Sequence, residues 1–223
     1  MSDDEGELPS SELGTKEYWD STYERELTNF ESNGDVGDIW FGEESMERVL
    51  EWMLEAESVT ENSSVLDVGC GNGVILIHLG KEGFKKLFGI DYSEKAIDLA
   101  KAIAVDKDVP VVYEQVDLLS GNAAEGLMNR TYDVVHDKGT YDAISLHPED
   151  PADKRLSYMK RVHSLTADSG MFIITSCNWT KEELDKHFQK YFAIEHVIPT
   201  PSFMFGGRVG SQVTCLVFRK LKN

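Results

Sequence analysis

The run Val65-Leu66-Asp67-Val68-Gly69-Cys70-Gly71-Asn72-Gly73 constrains the fold of this chain more than any other stretch. Its first half is apolar and β-branched, as a buried strand requires, and its second half alternates glycines with Cys70 and Asn72. Val74, Ile75, Leu76, Ile77 and Leu79 follow at once and read as a helix. A strand that turns sharply into a helix through glycines lets backbone N–H groups approach a ligand closely. The acidic element Gly89-Ile90-Asp91-Tyr92-Ser93 comes about 20 residues later, where a nucleotide-binding unit places its ribose-gripping carboxylate. A turn that merely needs glycine is the plainer alternative, and Asp91 at this distance weighs against it.

The glycines run G-x-G-x-G rather than the dinucleotide pattern G-x-G-x-x-G, and no G-K-[S/T] follows a glycine loop. The loop also offers no basic residue to a pyrophosphate. A compact turn beside Asp67 suits a zwitterion, whose ammonium wants a carboxylate and whose carboxylate wants N–H groups. S-adenosylmethionine carries such a tail on a ribose and an adenine.

Strand and helix patterns alternate through the rest of the chain. Strands are expected at Ser64–Val68, Lys86–Ile90, Val111–Val116, Tyr132–His136, Met171–Thr175, Ile194–Val197 and Gln212–Arg219. Helices are expected at Val74–Glu82, Glu94–Ala104 with Ser93 as cap, Ala152–Leu165, and Lys181–Tyr191 behind a Thr180/Glu183 capping box. Ahead of them lies a helical segment over 15–57, with an aromatic face of Tyr18, Trp19 and Tyr23 and an apolar stripe of Met46, Val49, Leu50, Met53 and Leu54. No helical crossover fits between the last two strands. The Pro199–Gly210 link therefore predicts a long hairpin and a reversed final strand, with Phe203, Phe205 and Arg208 closing the hairpin or gripping a substrate. The expected fold is α/β: a Rossmann-like seven-stranded sheet, mostly parallel with an antiparallel last strand, and helices on both faces.

With 223 residues the chain suits one domain over 13–223, preceded by an acidic tail, 1–12, expected to be disordered. Against 22 lysines and arginines stand 40 acids, a net charge of -18 that repels phosphate backbones and argues against direct nucleic-acid binding. No membrane-length apolar segment or signal peptide is visible. Cys70, Cys177 and Cys215 have no paired spacing, which fits a reducing, intracellular compartment; neither they nor the histidines form a metal motif, so no metal is expected. G-x-S-x-G is also absent, which removes the serine-hydrolase elbow.

Acids stand at or just beyond four strand ends: Asp67, Asp91, Asp117 and Asp137. With these residues in place, the chain from about Tyr18 onward resembles the class I, seven-strand S-adenosylmethionine-dependent methyltransferases. Three further segments, 37–43 (GDIWFGE), 137–143 (DKGTYDA) and 175–180 (TSCNWT), resemble more specifically the eukaryotic lysine methyltransferases of translation elongation factor 1A, in the group of elongation factor 1A lysine methyltransferase 2.

The resemblance implies a protein-lysine N-methyltransferase acting on elongation factor 1A, monomeric and cytoplasmic, with the nucleus left open. Asp67 and the loop Gly69, Cys70, Gly71, Asn72 and Gly73 would hold the methionine portion of the cofactor, with Trp40 covering that end. Asp91 would accept from both ribose hydroxyls. Tyr92 would lie against the adenine, and Asp117 with the N–H of Leu118 would read its edge. Asp137 would contact the cofactor and orient the acceptor lysine, with Tyr141, Asn178 and Trp179 as walls of its channel, while Lys138 reads as structural. Amino-methyltransferases of nucleic acids carry an N-P-P-Y-like sequence where this chain has Asp137-Lys138-Gly139-Thr140, a departure that favours a protein amine. A small-molecule methyltransferase and a non-catalytic cofactor-binding scaffold are the competing readings.

Overall fold

A computed structural model describes residues 7–120, 126–200, 202–205, 208–211 and 213–222. Two helices, α1 (Lys16–Asn33) and α2 (Glu43–Glu55), precede the sheet. Then come β1 (Ser64–Val68), α3 (Val74–Lys81), β2 (Lys86–Asp91), α4 (Glu94–Asp106), β3 (Val112–Gln115) and β4 (Tyr132–Lys138). The chain continues through α5 (Thr140–Ser145), α6 (Pro151–Leu165), β5 (Thr166–Ser176), α7 (Lys181–Phe188) and β6 (Phe192–Ile198). A two-stranded hairpin, β7 (Ser202–Phe205) with β8 (Arg208–Ser211), leads to β9 (Thr214–Lys220). The side chains of Phe203, Phe205 and Arg208 lie outside the described residues.

The main sheet has seven strands in the order β3-β2-β1-β4-β5-β9-β6. β9 runs antiparallel to both β5 and β6, so the reversed strand is inserted next to the edge and β6 forms the edge itself. Period-two alternation sends the strands' apolar residues into two cores. Val65, Val134, Met171, Ile173 and Val217 face one, and Leu66, Val135, Phe172, Ile174 and Leu216 face the other. Strand order reverses between β1 and β4, and the ligand crevice of such sheets opens at the carboxyl ends of strands at that point.

Three local expectations change. Helix α5 is not visible in the sequence pattern; it is only six residues long, too short for periodicity to reveal. Ser93 stands at the N-cap of α4 without a side-chain capping bond, and the Asp91 carboxylate accepts its N–H instead. Finally, the expected disorder over 1–12 does not extend to residues 7–12, whereas 1–6 lie outside the described residues. The Ser11 N–H donates to the Leu146 carbonyl, Leu8 packs on the second core, and Glu7 forms a two-pronged pair with the buried Arg155.

Candidate active site

The glycine loop between β1 and α3 is held open by its own geometry. Gly69 and Gly71 have φ of 64° and 52°, in the left-handed region that favours glycine. A Cβ on Gly69 would sit 1.9 Å from the Thr140 hydroxyl, and one on Gly71 would sit 2.4 Å from the Tyr23 hydroxyl. The loop is thus pinched between α5 and α1. Across it, the buried Asp91 carboxylate accepts from the Gly71 N–H at 3.0 Å and from the Ser93 N–H at 2.9 Å. Burial raises the Asp91 pKa to about 6 against those two bonds, with Asp67 and Asp20 adding repulsion.

A cavity of about 450 Å³ opens at this point. Gly69, Cys70, Gly71 and Asn72 line it, with Asp91, Tyr92, Asp117 and Leu118 along one side and Trp40 at the other end. These expected residues are brought together. Gly73 lies outside the lining, capping α3 beneath the Tyr113 ring. Asp67 is set back beside a smaller void of about 30 Å³; its Oδ1 lies 2.7 Å from Nδ1 of His136, its register partner on β4. Asp117 accepts from the Leu119 N–H at 2.9 Å through Oδ1, which leaves its second oxygen available.

The four residues expected at a lysine channel do not line the cavity. Asp137 is wholly buried away from the cavity, and its carboxylate caps α5 by accepting from the N–H groups of Thr140 and Tyr141, at 2.9 and 3.0 Å. The Tyr158 hydroxyl donates to the same group. Burial raises the Asp137 pKa to about 8, opposed by those bonds. Tyr141 and Trp179 are buried in the second core, where Tyr141 meets Nδ1 of His187 at 2.9 Å and the Trp179 indole N–H donates to Ser145 at 3.2 Å. Asn178 is half-buried beside them and also off the cavity. Large apolar rings gain more from a packed core than from lining a wet channel.

Sequence reasoning in turn missed several lining residues: Trp19, Tyr23, Asp38, Lys138 and Thr140. Their signal was the i, i+4 pair Trp19/Tyr23 on α1 and the Gly37–Glu43 segment. Lys138 is more than structural filler: its buried ammonium donates to the Trp40 carbonyl at 3.0 Å, and burial lowers its pKa. Asn72 works the same way, its side-chain amide donating to the carbonyls of Val36 and Asp38 at 3.0 and 3.2 Å. Both loops around the cavity therefore grip the strap that joins α1 to α2.

The residues present fit an adenosyl cofactor with an amino-acid tail. A desolvated carboxylate with lone pairs to spare lines the cavity, and the glycines of the loop give a ligand room to approach. Among the described residues no group of three or more His, Cys, Asp or Glu could hold a metal, and no helix is long and apolar enough to cross a membrane.

Residues 59–212 match the family described as a methyltransferase domain. The chain is 47% identical over 210 residues to "EEF1A lysine methyltransferase 2" of Danio rerio, covering 94% of this chain and 88% of that protein. Identity to the Homo sapiens protein of the same name is 46% over 219 residues, covering 98% and 90%. To "Protein-lysine N-methyltransferase efm4" of Schizosaccharomyces pombe it is 40%, covering 95% of each. Among solved structures, the N-methyltransferase NodS of Bradyrhizobium japonicum, in complex with S-adenosyl-L-homocysteine, shares the fold at a TM-score of 0.65 and 18% identity, covering 92% of this chain and 99% of that one. The chain belongs to the class I S-adenosylmethionine-dependent methyltransferases, in the family of EEF1A lysine methyltransferase 2.

Proposed function

We propose that this chain methylates the ε-amino group of a lysine in translation elongation factor 1A, acting in the cytoplasm as a single chain. The observation that carries this reading is similarity along nearly the whole chain to two proteins named for that activity, and to a third named as a protein-lysine N-methyltransferase.

S-adenosylmethionine supplies a methyl group on a sulfonium, a leaving group good enough that the protein mainly aligns the partners and excludes water. Asp91 anchors the ribose hydroxyls, and Tyr92, Asp117 and Leu118 receive the adenine. The loop Gly69–Asn72 receives the tail with Asp67 behind it, while its Gly71 and Cys70 N–H groups are committed to Asp91 and to the Ile90 carbonyl. Asp137 holds the loop before α5 in place through its caps on Thr140 and Tyr141, rather than touching the acceptor amine. No side chain is needed as a general base, because the amine loses its proton to water before attack.

Incubation with labelled cofactor and recombinant elongation factor 1A, followed by peptide mass spectrometry, tests the reading. A methylated lysine in that protein is expected. Label confined to small metabolites, or none at equimolar enzyme, overturns it.

A further inference from the structure

We infer that the acceptor lysine enters at the strap, where Trp19, Trp40 and Asp38 form the site that receives its side chain. This rests on the protein-lysine reading above and replaces the channel expected at Asp137, Tyr141, Asn178 and Trp179.

The charges around the cavity are unevenly placed. Three acids line it: Asp91 is buried and bonded to the glycine loop, Asp117 stands beyond β3 with Tyr92 and Leu118, and Asp38 is solvent-exposed on the strap. Of the lining cations, Lys138 reaches the strap itself, where its ammonium is tied to the Trp40 carbonyl at 3.0 Å and burial disfavours its charged form. Lys154 lies on the α5–α6 side, and Lys16 lies over the Tyr92 ring at 5.5 Å, paired with Asp20. Of the two exposed lining acids, Asp117 belongs to the adenine side in the proposed reading, which leaves Asp38 to attract an approaching ammonium. Asp35 and Glu43 flank Asp38 in sequence and deepen the negative field, whereas Glu44 is paired with Arg48.

Beside Asp38 stand aromatic rings. Trp19 and Trp40 meet edge-on with centroids 4.8 Å apart, and Trp19 stacks on Tyr23 at 5.9 Å. An exposed carboxylate next to two indoles suits an alkylammonium, whose methylene stem packs on the rings while its head meets the charge. The Tyr23 ring lines the same cavity, with its hydroxyl against Gly71.

The wall is also built to stay in place. Asn72 holds the carbonyls of Val36 and Asp38, Lys138 holds that of Trp40, and the Asp38 N–H donates to Glu26 at 3.4 Å. Asp38 and Trp40 are thereby set against the glycine loop by backbone bonds that do not involve their own side chains. Changing either side chain leaves those bonds intact.

The test compares wild type with Asp38→Asn, Asp38→Glu and Trp40→Leu in two assays: steady-state methylation of elongation factor 1A, and calorimetric binding of S-adenosylhomocysteine. The expected result is a fall in kcat/KM of at least tenfold for Asp38→Asn and Trp40→Leu, carried mainly by KM. Asp38→Glu should recover part of the loss, and the dissociation constant for S-adenosylhomocysteine should stay within about threefold in all variants. Unchanged kcat/KM for both Asp38→Asn and Trp40→Leu overturns the inference. So does a matching loss of S-adenosylhomocysteine affinity, which would place the strap on the cofactor. Failure of the wild type to methylate elongation factor 1A would instead strike the parent reading.

Discussion

The Asp91 carboxylate accepts the Gly71 N–H at 3.0 Å, so the acid at the end of β2 braces the loop that follows β1. In the proposed reading the same group also takes the ribose hydroxyls, so removing it costs both interactions. Asp91→Ala should weaken S-adenosylhomocysteine binding by about 1.5–3 kcal/mol, the usual worth of hydrogen bonds to a charged group, as read by calorimetry. An unchanged dissociation constant would refute the ribose assignment.

Protonation should have the same effect as deletion, more gently. In the free protein Asp91 titrates at about 6, raised by burial, and hydroxyl donors favour its ionised form. Binding therefore releases a proton below that pH. Affinity should be flat above about pH 7 and fall toward pH 5, approaching tenfold per unit. Asp91→Asn should remove most of that slope.

Asp137 should matter for stability rather than for cofactor affinity. All three of its partners are donors, and an asparagine can offer only one acceptor oxygen to them. Asp137→Asn should cost about 1–3 kcal/mol in denaturant unfolding, with S-adenosylhomocysteine affinity nearly unchanged. The pH profile gives a second check. A folded pKa of about 8, raised by burial above the unfolded value, means the fold binds the proton more tightly. The wild type should lose stability as pH rises from about 4 through 8, and the variant should lose less.

Gly69→Ala should be damaging although alanine is small. The backbone there is left-handed and the added Cβ would strike the Thr140 hydroxyl, which donates to the Val68 carbonyl at 2.9 Å. A loss of about 1–3 kcal/mol is expected from the backbone alone, read as a lower melting temperature. A stable variant would mean that the contact between the loop and α5 is dispensable.

Glu7→Gln should loosen the segment before α1 without unfolding the protein. Glu7 is held down by Arg155, but its own side chain is 41% exposed, so the pair contributes little to global stability. Hydrogen exchange over residues 7–14 should quicken, with a melting temperature within about 2 °C of wild type. Unchanged exchange would show that Leu8 and the Ser11 bond suffice.

The sequence spelled out what depends on local pattern. Apolar runs marked all seven strands of the main sheet, and the spacing from Gly69 to Asp91 located the cavity, because strand ends fix where those residues fall. Which way a side chain turns beyond a strand end depends on its tertiary partners, and there the reading failed. Asp137 turns inward to cap a helix that the pattern did not reveal, and Tyr141 and Trp179 follow their apolar surface into the second core. Conversely, Asn72 and Lys138 read as a cofactor residue and a structural one. Their use as clamps appears only once the strap, some 35 to 100 residues away in sequence, is folded back onto them.

The strand Thr214–Lys220 lies between β5 and β6 and bonds to both. During synthesis, that half of the sheet cannot zip shut until this strand has cleared the ribosome, however early the glycine loop and its neighbours collapse. A truncation before Thr214 therefore does more than shorten the molecule. It leaves β5 and β6 as two unmatched edges with a gap between them, open to pairing with other chains.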